Sequence, residues 1–184
     1  MTEEQIMEKC GEFLDNYPLC EYFFLKVDEL TIIDEVKQLS DMDSKVYGRR
    51  RFVPPAPDSF AKCEAELRQY SDCFLFDAVY EVDDAYDLLR CEGARREHAA
   101  MTAELAEEFR ARFGDIMVLG ISCDLCEDCP CPNKPCKMPE KKICAMDTYG
   151  LQIMRTLADR DIMWDYGTST AIYFTVILFN GGEK

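Results

Sequence analysis

Ile116-Met117-Val118-Leu119-Gly120-Ile121 is a continuous apolar run of strand length, the pattern of a strand buried on both faces of a sheet. Tyr22 to Val27, Cys73 to Tyr80 and Ala171 to Phe179 have the same character. Between these runs the apolar spacing becomes helical. Ile6, Cys10, Phe13 and Tyr17 share one face of a helix closed by Pro18, and a short helix is expected from Asp34 to Leu39. Asp58 or Ser59 caps another, with Phe60, Cys63, Leu67 and Tyr70 inward. Asp83 to Phe113 has little but Gly93 to interrupt a single long helix, and Gly114 ends it; further helices are expected at Pro139 to Thr148 and Leu151 to Arg160. Strands alternating with helices predict an α/β fold: a small, mostly buried mixed sheet of about four strands flanked by helices.

The chain of 184 residues has the length of one domain. Its 36 acidic residues against 21 Lys plus Arg give a net charge of −15, which argues against nucleic acid as a partner, because phosphate binding needs clustered cations. Residues 1 to 44 hold twelve of the acids and only three lysines, a surface suited to steering a basic protein partner. No apolar run reaches the roughly 20 residues of a membrane helix, and the N-terminus lacks the basic start and apolar stretch of a secretory signal. A cytoplasmic, thiol-reducing setting is therefore expected, in which the 11 cysteines serve as free thiols, metal ligands or redox groups rather than as a disulfide framework.

Six of those cysteines fall between Cys123 and Cys144. Cys123-x-x-Cys126-x-x-Cys129 wraps a short loop around one point, so three sulfurs can meet one metal centre while a more distant cysteine closes the fourth corner. Cys136 has the loop length to return. Cys131, only two residues past Cys129 and bounded by prolines, should point away, and Cys144 should lie on the helix after Pro139; both are reserves for the fourth position. That helix would turn its N-terminus toward the site, and Lys134, Lys137, Lys141 and Lys142 would offset thiolate charge. The segment from 122 to 145 thus reads as a cysteine-rich metal-binding loop holding an iron–sulfur cluster, a [4Fe–4S] centre by its spacing. Zinc competes for the same thiolates, although zinc ribbons draw ligand pairs from two separated knuckles.

Together with Pro135-Cys136-x-x-Pro139-Glu140 and Ala145-Met146-Asp147-x-Tyr149-Gly150, this run resembles the prokaryotic family of predicted metal-binding proteins called domain of unknown function 2284. The resemblance is specific across Leu119 to Leu151 and implies metal binding without a reaction. Family members also carry a cysteine in a Tyr-Gly…Cys-Pro-Pro signature. Here Tyr47, Gly48, Pro54 and Pro55 stand, but Val53 occupies the cysteine position, so no second site is expected in the Tyr47 to Pro57 loop.

Elsewhere Cys10, Cys63, Cys73 and Cys91 read as small buried residues, and His98 as a surface or core-edge side chain. Arg49-Arg50-Arg51 reads as a solvated loop, and Trp164 to Thr170 as a polar connection able to line a pocket. No phosphate loop, dinucleotide fingerprint or His-Glu-x-x-His motif is present. The function these features imply is electron transfer or redox sensing with a protein redox partner. A zinc-stabilised interaction module, or an enzyme using an open iron site, are the alternatives.

Overall fold

A computed structural model describes residues 2–47, 59–86, 91–131, 134–158, 160, 162 and 166–182. The Arg49 to Arg51 run, Val53, the Pro54 to Asp58 stretch and Trp164 lie outside these residues. Five strands form one sheet: β1 (Tyr22–Lys26), β2 (Asp72–Glu81), β3 (Ile116–Gly120), β4 (Cys144–Ala145) and β5 (Thr170–Phe179), in the order β1-β2-β5-β3-β4. β3 and β4 are parallel and the other neighbours antiparallel, so the sheet is mixed. The expected four strands are all present; the fifth, β4, is two residues long and lies where a helix was expected.

Strand alternation divides the core. Cys73, Leu75, Leu119, Val176 and Leu178 face Leu67 of α3 (Phe60–Leu67) and Ile153 of α5 (Ile153–Thr156). Phe74, Phe76, Val118, Ile177 and Phe179 face α1 (Glu3–Leu14) and α4 (Glu92–Phe113). The result is three layers with the sheet in the middle, which is why its strands read as unbroken apolar runs. Phe109 of α4 anchors the second face, its ring 4.9 Å from Phe74, 5.4 Å from Phe179 and 5.5 Å from Phe13.

Local chemistry sets the helix starts. Thr2 accepts from the Gln5 amide while the Gln5 side chain accepts from the Thr2 amide, capping α1; Ser59 caps α3 through the Lys62 amide. α2 (Asp34–Tyr47) continues past Leu39, the expected end of this helix; Ser40 there is buried and donates to Asp147 at 2.6 Å. α4 begins at Glu92 rather than Asp83, with Cys91 before its first turn, so Gly93 lies in the opening turn and bends nothing. Pro139–Lys141 is a single three-residue turn, and the helix expected from Leu151 to Arg160 is only α5. The return of the chain to pair beside β3 at Cys144 leaves no length for a longer helix after Pro139.

Candidate metal centre

The cysteine segment leaves the end of β3 and returns at β4, so both of its ends are fixed to one edge of the sheet. Gly120 permits this closure: a Cβ there would lie 2.9 Å from the Ile143 side chain, and its carbonyl accepts from the Met146 amide at 2.9 Å. Inside the loop Cys123 and Cys131 are buried, while Cys126, Cys129 and Cys136 are half-buried. Asp124, between the first two cysteines, accepts from Arg95 Nε of α4 at 3.4 Å and from the Ser122 hydroxyl. Lys137 Nζ donates to the Asp128 carbonyl at 3.1 Å. These bonds tie the irregular segment to itself and to the helix layer.

Cys129 and Cys136 lie near enough for their charges to act on Cys123, Cys126 and Cys131. Cys131 is buried and senses both Cys129 and Cys136. Its pKa is raised by desolvation and by those two neighbours. Cys123 is also raised, chiefly by burial. The Cys136 sulfur accepts from the Met138 amide at 3.4 Å. Among the described residues no group of three or more His, Cys, Asp or Glu is drawn together closely enough to hold an ion.

Cys144 stands apart. It lies on β4, not on a helix, and packs into the opposite sheet face from Cys123. The residues after it are structural. Asp147 receives Ser40, Thr148 donates to the Ala145 carbonyl at 2.7 Å and Tyr149 donates to Glu66 at 3.0 Å. Gly150 sits at φ +76° under the Ile33 carbonyl, 2.7 Å from where a Cβ would be.

Cys10, Cys63, Cys73 and Cys91 are buried as expected. Cys20 is exposed, 3.4 Å from the Tyr166 hydroxyl. His98 is buried, contrary to a surface or core-edge position: Nε2 is 2.8 Å from the Thr175 hydroxyl and Nδ1 is 3.1 Å from Tyr80. Sequence reasoning missed Arg95 as the link to the cysteine segment, since a lone arginine on a helix carries no spacing signal.

This α/β protein, with a cysteine loop hung from one sheet edge, belongs to the family described as predicted metal-binding protein, domain of unknown function 2284, which matches residues 24–179. No curated protein matches the chain. Among solved structures, epoxyqueuosine reductase from Bacillus subtilis matches at 10% identity and a TM-score of 0.43, over 98% of this chain and 47% of that one. A selenomethionine-labelled epoxyqueuosine reductase matches at 12% identity and 0.42, over 95% and 46%. The chain spans about half the length of each. No described helix is long and apolar enough to cross a membrane.

Proposed function

We propose that the protein holds an iron–sulfur cluster on Cys123, Cys126, Cys129 and Cys136 and uses it to pass electrons to, or sense redox state for, a protein partner. The observation that supports this most is that Cys123, Cys126, Cys129 and Cys136, buried or half-buried, stand on one loop whose two ends are fixed beside each other at β3 and β4. A cluster so bound supplies one-electron transfer at a potential set by hydrogen bonds to its sulfurs, net charge and exposure. The chain's own part is to hold the thiolates, to donate to Cys136 from the Met138 amide, and to leave Cys126, Cys129 and Cys136 half-exposed toward a partner. Cys131 is the reserve for the fourth position; Cys144 is a core residue in this reading.

Four cysteine thiolates suit zinc as well, so zinc is the second reading. Protein purified anaerobically from iron-replete cells should be brown and contain iron and acid-labile sulfide. Stoichiometric zinc in a colourless protein would reject the cluster and leave a zinc-stabilised module. Iron retained when both Cys131 and Cys136 are replaced would indicate an open coordination position and move the reading to an enzyme.

A further inference from the structure

Ile121, Met154 and Tyr166 stay 49%, 50% and 40% exposed, and all three line one cavity of about 320 Å³ built against the start of β5. Scattered exposed apolar side chains need no explanation, whereas three converging on a concavity mark a binding surface. The volume is near the lower bound for small-molecule sites, with room for one or two rings. Arg95 stands on the same lining and brings a positive charge to a protein of net charge −15. Its Nε faces Asp124, between Cys123 and Cys126, and Ile121 lies two residues before Cys123. One wall of the cavity is therefore the entry to the cysteine segment.

We infer that this cavity is the ligand site of the cysteine centre and takes a planar, largely apolar molecule of one or two rings carrying one anionic group. The rings cover Ile121, Met154 and Tyr166, and the anion meets Arg95. Binding itself needs no metal; the role as ligand of the centre rests on the iron–sulfur reading above.

The probe is 5-dimethylaminonaphthalene-1-sulfonate, titrated by fluorescence into the protein as purified, with its uncharged sulfonamide, dansylamide, in parallel. Ile121→Glu and Met154→Glu put a charge among the rings of the ligand and should weaken both probes at least about tenfold, while these exposed positions leave the melting temperature near that of the parent. Arg95→Gln should weaken the sulfonate alone, and Arg95→Lys should restore much of it. Equal binding across the variants would overturn the site, and an Arg95→Gln change shared by both probes would overturn the anionic class. With iron bound, the seated probe should be dimmer than in chelator-stripped protein; equal brightness would separate the cavity from the centre. Protein purified without iron would sink the cluster reading and the assignment to the centre, while the variant series still decides whether the cavity binds.

Discussion

His98 is a neutral imidazole enclosed by Tyr80, Thr175, Phe76 and Tyr173, and desolvation pushes its pKa down to about 4. The unfolded chain takes up a proton near pH 6.5, where the folded protein does not. Its contribution is therefore complete above pH 6.5 and lost progressively as pH falls toward 4, by about 3 kcal/mol. Urea unfolding across that range should show this decline in the parent and a flatter profile in His98→Gln; parallel profiles would contradict it. Among the cysteines, replacing Cys123, Cys126, Cys129 or Cys136 by Ala should strip the metal, measured by metal analysis. Cys131→Ala should keep it, because Cys136 closes the fourth position in this reading. Metal lost from Cys131→Ala and kept by Cys136→Ala would exchange the two roles. Cys10→Ala and Cys20→Ala should leave metal content unchanged, since Cys10 is packed between α1 and α4 and Cys20 is held at Tyr166.

At the scale of elements, the turn after β4 works as a buckle between the sheet edge and α2. Gly150 is its constrained point, with a positive φ and the Ile33 carbonyl too close for a side chain; the Ile33 amide also donates to the Gly150 carbonyl at 2.7 Å. Gly150→Ala should cost at least about 2 kcal/mol from backbone strain and displaced contacts, read as a lower urea midpoint. A change within 0.5 kcal/mol, the range of ordinary surface substitutions, would show that the turn can relax. The family signature thus has two parts with different work: cysteines that gather thiols, and an Asp147-to-Gly150 turn that fixes the end of their loop.

For the whole molecule, the two sheet faces are filled mainly by apolar side chains from α1, α3, α4 and α5, with Cys123 and Ile143 of the cysteine segment at the margin of one face. Removing the metal should therefore lower the melting temperature without unfolding the sheet, unlike small domains whose only core is their metal. Hydrogen exchange should rise in residues 122–143 and stay slow in β2 and β5; global loss of protection on chelation would make the metal part of the main core.

The sheet and its flanking helices were legible in the chain itself, because burial on both faces leaves unbroken apolar runs at β2, β3 and β5, and the family was legible in the cysteine spacing of one short segment. What tertiary structure alone decided comes from contacts between residues far apart. Residues 144–145 became a strand because Leu119 and Gly120 offered an edge, and α2 lengthened because Asp147 receives Ser40. His98 went inside because Tyr80 and Thr175 satisfy both ring nitrogens. Cys144 packs into the opposite sheet face from Cys123: spacing limits how far a side chain can reach, but the direction in which it points is set by what packs on the far side of the backbone.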